Sequence, residues 1–239
     1  MGYLRSFRHR TWMYELMDDP DSDVDRLHRT LRQFRIINRV LTRVHRPLVR
    51  LVLDDMVEQR PYTLLDVGAG DGDIARRLVR TARRRGLDLR VTCIDADARV
   101  ASWCRQACAG YPEIEVLHTT HNDLTQRFDY VFSNHVLHHL ADKEAESFLA
   151  SMDSITVRRV VISDLARSAP AHTAYSIVSL IAFHRSFART DGLRSIRRAF
   201  TRNELEDMLS RTRWGARAGV RAVFPAHLLI VGDFFSPVS

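Results

Sequence analysis

The stretch that most restricts the fold is Leu64-Leu65-Asp66-Val67-Gly68-Ala69-Gly70-Asp71-Gly72-Asp73. It opens as a short apolar run, the pattern of a strand buried on both faces. Three alternating glycines then let the backbone turn sharply and approach a ligand closely. A helical segment from Ile74 to about Arg85 follows, with Gly86 as its stop. The next apolar run, Leu89 to Ile94, ends in Asp95, about 25 residues beyond the first glycines. An acid at that place accepts hydrogen bonds from both hydroxyls of a ribose. A plain strand–helix turn would explain the glycines alone; the glycines and Asp95 together are much more specific.

The alternation continues. A helix is predicted over Ala98 to Ala109, strands at Ile114–Leu117, Tyr130–Phe132 and Val160–Ile162, and a helix near Lys143–Ser151. Strands alternating with helices predict an α/β fold, a mostly parallel sheet covered on both faces. Val220–Phe224 and Leu228–Val231, split by Pro225-Ala226-His227, predict a closing hairpin. Residues 11–60 read as helical. Val24, Leu27, Leu31, Phe34, Ile37, Leu41 and Val44 recur at three- and four-residue steps between arginines. Asp21-Ser22-Asp23 offers an N-cap, and Pro61 a stop. Ala174–Phe187 reads as an apolar helix and Arg189–Ala199 as a basic connection. Thr201 and Glu204 read as a capping box.

The chain has 239 residues, 45% of them hydrophobic, and a net charge of +7. That is one domain with a real core, and it argues against disorder. No apolar run nears the ~18 residues of a membrane span, and MGYLRSFRHR lacks the apolar core of a secretory signal. Cys93, Cys104 and Cys108 are odd in number and show no C-x-x-C pairing, which favours buried thiols in a reducing, cytoplasmic setting. Lys143 is the only lysine beside 35 arginines. Residues 61–150 carry net −2, residues 1–60 net +3 and residues 151–239 net +6. No RNA-recognition, KH or zinc-finger pattern accompanies the basic ends, so nucleic acid is not the expected partner.

Around the glycine loop the local charge is negative. The third glycine comes one residue too early for a dinucleotide fingerprint, and Asp66, Asp71 and Asp73 are a poor setting for a pyrophosphate. They suit an ammonium or a sulfonium. The segment resembles motif I of the class I S-adenosylmethionine-dependent methyltransferases. Asp95 matches their ribose-binding acid, and Ala96 the neighbour beside the adenine. Phe128 to Leu140, which includes Ser133, resembles the fourth-strand segment, and Val161-Ile162-Ser163-Asp164 the fifth. The resemblance covers roughly residues 62–165. It implies a Rossmann-like sandwich with a mostly parallel seven-stranded sheet and an N-terminal helical lid over residues 1–60. It also implies that residues 61–239 form the methyltransferase domain, with 170–200 capping the acceptor pocket. Asp66, Gly68, Ala69, Gly70, Asp71, Gly72, Asp95, Ala96 and Ser133 fall on the cofactor side. Asn122 or Asp123 takes the adenine amino group, where the family often has an Asp.

Methyl transfer requires donor and acceptor held in line, water excluded and, for some acceptors, a proton removed. His135, His138, His139 and His184 are the candidate bases, with His135, His138 and His184 the ones carried forward. Each also has a structural reading, His138-His139 most of all. Adjacent residues on a helix face different ways, and no H-E-x-x-H or Cys/His spacing is present, so no metal is expected. Leu180, Ile181, Phe183 and Phe187, with Trp12, Met13, Tyr14, Met17, Phe34 and Ile37, are either core or an apolar acceptor wall. Segments 164–168 and 191–201 resemble bacterial methyltransferases of polyketide and phenolic-lipid pathways. The resemblance implies O-methylation of a small aromatic or polyketide-like acceptor by a monomer or homodimer. An RNA or protein methyltransferase and a non-catalytic partner of the same fold remain the alternatives.

Overall fold

The computed structural model describes residues 7–37, 44–57 and 60–234. Two helices, α1 (Val24–Ile37) and α2 (His45–Val52), precede the sheet. Then come β1 (Tyr62–Val67), α3 (Asp73–Arg84), β2 (Leu89–Asp95), α4 (Ala98–Cys108), β3 (Ile114–His118) and β4 (Phe128–Asn134). The remainder is α5 (Asp142–Ile155), β5 (Thr156–Leu165), α6 (Ala169–Ala182), α7 (Ala188–Arg198), α8 (Arg202–Ser210), β6 (Ala218–Val223) and β7 (His227–Asp233).

The seven strands lie in the order β3-β2-β1-β4-β5-β7-β6, with β7 antiparallel to both neighbours and the other pairs parallel. This is the α/β sheet and closing hairpin that the sequence predicts. Side-chain alternation divides the core. Leu64, Tyr130, Phe132 and Val161 face α2 and α3, whereas Leu65, Val67, Val131, Val160 and Ile162 face α5 and α8. Trp214 seals the second face: its Nε1 donates to Leu149 O at 2.8 Å, and its ring lies against the bare backbone of Gly232. β1 is where the strand order reverses, with β2 on one side and β4 on the other. An open α/β sheet forms its crevice beyond the carboxyl ends of such strands.

The helical prediction holds over Val24–Ile37 and His45–Val52, while Leu41, with the rest of 38–43, lies outside the described residues. Asp23 Oδ1 accepts from the Arg26 N–H at 2.7 Å, and Leu27 and Leu31 are buried against Phe187 and Val100. It does not hold for residues 11–23, which contain a single 3-10 turn at Leu16–Asp18. Their backbone groups are taken by side chains from elsewhere. Arg99 donates to the carbonyls of Asp19 and Pro20 at 3.0 and 2.9 Å, and Arg198 donates to Met13 O at 3.1 Å. Asp191 accepts from the N–H groups of Leu16 and Met17 at 2.8 and 3.0 Å. A backbone satisfied in this way needs no helical ladder. The N-terminal segment is therefore a strap followed by helices, not helical throughout. The second helix ends at Val52, well before Pro61. Arg189–Ala199, read as a connection, is mostly the helix α7, whose inward face is built from Ala188, Gly192, Ser195 and Ile196. The Thr201–Glu204 capping box is present. No helix among the described residues is long and apolar enough to cross a membrane.

Candidate active site

Beyond the carboxyl ends of β1, β2 and β4 lies a cleft of about 1360 Å³. The glycine loop forms its floor. The N–H groups of Gly68 and Ala69 donate to Ile94 O at 2.9 and 3.1 Å, tying the loop to β2. Gly68 has φ +69°, and a Cβ there would lie 2.3 Å from Val136 Cγ2. Gly70 has φ +58°, with nothing within 4 Å of the place a Cβ would take. The first glycine lets two loops touch, and the second keeps the cleft open. Gly72 caps α3 in the left-handed conformation and backs onto the Cys104 and Cys108 sulfurs, away from the cleft lining. The three cysteines are buried and free.

Asp66 and Asp73 are buried at the cleft floor. Burial and the neighbouring Asp73 push the Asp66 carboxyl well above its usual range. Asp71 is different: the Arg76 guanidinium lies 3.6 Å from its Oδ2, so its charge has a buried partner. Asp95 ends β2 and accepts from the N–H groups of Gly70 at 3.2 Å and Asp97 at 3.1 Å. Burial raises its pKa to about 6, against these two hydrogen bonds. Asn134, at the end of β4, lines the same cleft with a buried Oδ1 that has no hydrogen-bond partner.

This site fits S-adenosylmethionine. A sheltered, carboxylate-rich floor with an unsatisfied amide oxygen calls for a ligand that donates hydrogen bonds and carries positive charge. Asp66 and Asn134 are suited to the ammonium, Asp95 to the ribose hydroxyls, and Ala96 and Asn122 to the adenine side. Asp123 is not among the lining residues, because it accepts from Thr120 Oγ1 at 2.6 Å as the cap of the 3-10 turn His121–Asp123. Asn122 and His121 line the cleft in its place. Ser133 is fully buried inside β4, where its Oγ donates to Val67 O at 3.1 Å, and it too lies outside the cleft.

The histidines separate sharply. His184 is exposed beyond the end of α6 and does not line the cleft. His135 and His138 both do. His135 follows β4 with φ +61°, a left-handed conformation that costs about 1–2 kcal/mol in a non-glycine residue. Its N–H donates to Ser163 O at 2.9 Å. Its Nε2 is 3.1 Å from His227 Nε2. Burial lowers the pKa of both rings, that of His227 to about 4, so they share a single proton between neutral imidazoles. His138 is buried with Nδ1 2.6 Å from Asp164 Oδ1. Burial opposes ionisation of Asp164, but His138 holds its pKa below the ordinary carboxylate range.

Four contributors escape the sequence reading: Glu15, Asp164, His227 and Arg198. Asp164 had a signal, since it closes β5 as Asp95 closes β2. His227 sat in plain view between two apolar runs. Glu15 and Arg198 carry no local signature. Their roles arise from Glu15 Oε1, which lies 3.7 Å from His138 Nε2 and 3.5 Å from Arg198 Nη1.

The opposite wall is apolar. Met17, Leu31, Phe34, Val178 and Phe183 face the cleft, whereas Phe187 is core and Trp12, Tyr14 and Leu180 are exposed. Met13 is not in the lining, and the side chains of Ile37 and Ile181 lie outside the described residues.

Residues 64–159 match a family model described as "Methyltransferase domain". No curated protein matches the chain. Among solved structures, the chain is similar to the plantazolicin methyltransferase BpumL in complex with a triazolic desmethylPZN analog and SAH. The TM-score is 0.65 at 13% identity, over 91% of this chain and 92% of that one. It is also similar to magnesium protoporphyrin IX methyltransferase (ChlM) from Synechocystis PCC 6803 with bound SAH, at TM-score 0.55 and 15% identity, over 97% and 93%. A SAM-dependent methyltransferase from Aquifex aeolicus gives TM-score 0.54 at 17% identity, over 79% and 93%. The chain therefore has the fold of the class I S-adenosylmethionine-dependent methyltransferases, and its residues 64–159 match the model of a methyltransferase domain.

Proposed function

We propose that the protein transfers a methyl group from S-adenosylmethionine to an oxygen of a small aromatic or polyketide-like acceptor. One observation carries this reading: a single cleft joins the carboxylate floor at Asp66 and Asp95 to the apolar wall of Met17, Phe34, Val178 and Phe183. Its volume, about 1360 Å³, exceeds the ~300–1,000 Å³ of an ordinary single-ligand pocket, and leaves room for an acceptor beside the cofactor. Small-molecule methyltransferases among the structural relatives support the same class of acceptor.

When bound, the cofactor supplies an electrophilic methyl carbon on a sulfonium. The chain's residues then have three tasks. Asp95, Asn134 and the glycine loop fix the donor. The apolar wall orients a flat acceptor and excludes water. His135 takes the hydroxyl proton through the ring nitrogen not engaged by His227, as the oxygen–methyl bond forms and S-adenosylhomocysteine leaves. His138 is not the base in this reading, because its Nδ1 is committed to Asp164 and its Nε2 faces Glu15. Residues 170–200 contribute the cap, through the α6 and α7 side chains that line the cleft.

Turnover of methyl-labelled S-adenosylmethionine against a panel of phenols tests the reading, with S-adenosylhomocysteine calorimetry beside it. Labelled methyl ethers are the expected product. Tight S-adenosylhomocysteine binding with no phenol methylated, and label instead in RNA or protein, would overturn the acceptor assignment.

A further inference from the structure

In the wall of the cleft stands a group of side chains that neither the cofactor floor nor His135 uses. Glu15, from the N-terminal strap, is 2% exposed and lies between His138 and His139. His138 Nε2 is 3.7 Å from Glu15 Oε1, and His139 Nε2 is 3.8 Å from Glu15 Oε2. Both separations are too long for hydrogen bonds. Both suit two ligands on either side of one ion, whose bonds to imidazole and carboxylate are about 2.0–2.2 Å long.

The remote nitrogens make the same point independently. His138 Nδ1 is 2.6 Å from Asp164 Oδ1, and His139 Nδ1 is 3.0 Å from Asp18 Oδ2. A carboxylate on the second ring nitrogen keeps the proton on Nδ1, leaves the Nε2 lone pair free and makes it a stronger donor. Two adjacent histidines each have this support, and each turns Nε2 toward the same carboxylate. Arg198 holds the backbone beneath them, donating to His138 O at 3.0 Å and His139 O at 2.7 Å. Ser195 Oγ donates to Glu15 Oε1 at 2.8 Å and fixes the third ligand.

Charge agrees with geometry. Three carboxylates, those of Glu15, Asp18 and Asp164, surround the rings. Arg198, 3.5 Å from Glu15 and 3.6 Å from Asp18, returns one positive charge. The sequence expectation of no metal assumed that residues 138 and 139 diverge on a helix. They instead close the 3-10 turn Leu137–His139, with ring centroids 4.3 Å apart and planes inclined by only 36°.

We propose that Glu15, His138 and His139 bind a divalent transition-metal ion, zinc being best matched to two imidazoles and a carboxylate. All three line the cleft, so a coordination position not filled by protein is accessible to an oxygen ligand. That ligand would be a hydroxyl or carbonyl oxygen of the acceptor. This last role rests on the proposed function; ion binding itself does not.

Zinc chloride titrated calorimetrically into the chelator-treated full chain tests the site, with S-adenosylhomocysteine titrated in parallel. One zinc per chain is expected, and cobalt(II) in its place should give visible d–d absorption. His139→Gln should weaken zinc by about 100-fold or more, and Asp18→Asn by about 10–100-fold, with S-adenosylhomocysteine affinity unchanged. Asp18 is partly exposed and outside the core, so its variant decides the question if His139→Gln fails to fold. A wild-type chain that binds S-adenosylhomocysteine but no zinc up to about 100 μM overturns the metal site and leaves the methyltransferase reading standing. So does zinc binding that survives both substitutions. Zinc bound without S-adenosylhomocysteine supports the metal site and defeats the cofactor reading instead.

Discussion

Asp95→Asn should stabilise the ligand-free protein while weakening its hold on the cofactor. Burial raises the Asp95 pKa from 3.8 to about 6. A shift of about two units makes the ionised carboxylate roughly 3 kcal/mol less favourable in the fold than in the unfolded chain at neutral pH. Asparagine removes the charge and keeps an oxygen for the Gly70 or Asp97 N–H. The weakened hydrogen bonding costs about 1 kcal/mol, leaving a net gain of about 1–2 kcal/mol. For a chain of this size that is roughly 3–6 °C in Tm. The sign fixes the pH window. Between about pH 4 and 6 the folded state holds a proton that the unfolded state has released, so the Asp95 contribution to stability falls as pH rises through that interval. Thermal unfolding should therefore show the largest advantage for Asp95→Asn at pH 7.5, shrinking toward pH 4.5. Calorimetry at pH 7.5 should show S-adenosylhomocysteine weakened by about 10–100-fold, since the ribose hydroxyls lose a charged acceptor. A variant less stable than wild type at pH 7.5, or one that binds the ligand equally well, would refute the reasoning.

The loop glycines should part company. Gly68→Ala adds left-handed strain and a 2.3 Å clash with Val136, costing roughly 2–4 kcal/mol in thermal unfolding. Gly70→Ala meets only open space, so it should cost about 1 kcal/mol, with its main effect on S-adenosylhomocysteine affinity. Gly232→Ala drives a methyl into the Trp214 ring, and should lower stability by about 1–3 kcal/mol with affinity retained in the folded fraction. In methyl-transfer assays, His135→Ala should lower kcat by about 100-fold or more, whereas His184→Ala should leave it unchanged.

How far the sequence could be read depended on the distance over which each residue acts. β1, the glycine loop and Asp95 were legible because a buried strand, a left-handed turn and a strand-end acid each write a local pattern. The cap at Asp23 and the box at Thr201–Glu204 were legible for the same reason. The helix α7 was missed because its buried face mixes the small Ala188, Gly192 and Ser195 with the charged Asp191 and Arg198, leaving Ile196 as its one large buried apolar residue and no apolar stripe. Asn122 and Asp123 could not be told apart, since which faces the cleft depends on the capping interaction of Asp123 with Thr120. The histidine cluster was least legible. Glu15 meets His138 across more than a hundred residues, and His135 meets His227 across nearly as many. Composition made those residues visible, but only the sheet order brings their strand ends together.

The basic surplus at the two ends acquires a cause from the same contacts. Arg167 donates to the carbonyls of Phe7 at 3.0 Å and Arg8 at 3.2 Å, and pairs with Glu204. Arg194 donates to Tyr14 O at 2.6 Å, and Arg99 and Arg198 hold other carbonyls of the strap. Arg26 and Arg32 lie over the rings of Phe187 and Trp103. A planar fork with five donors can satisfy two carbonyls and a carboxylate at once; an ammonium on a flexible stem cannot hold that geometry. Many of these guanidiniums are engaged by the chain's own carbonyls, carboxylates and rings. Their work is mechanical. They hold an irregular N-terminal segment tightly enough that Met17 reaches the apolar wall and Glu15 arrives between two histidines, which places the exterior's positive charge in direct support of the cleft's negative one.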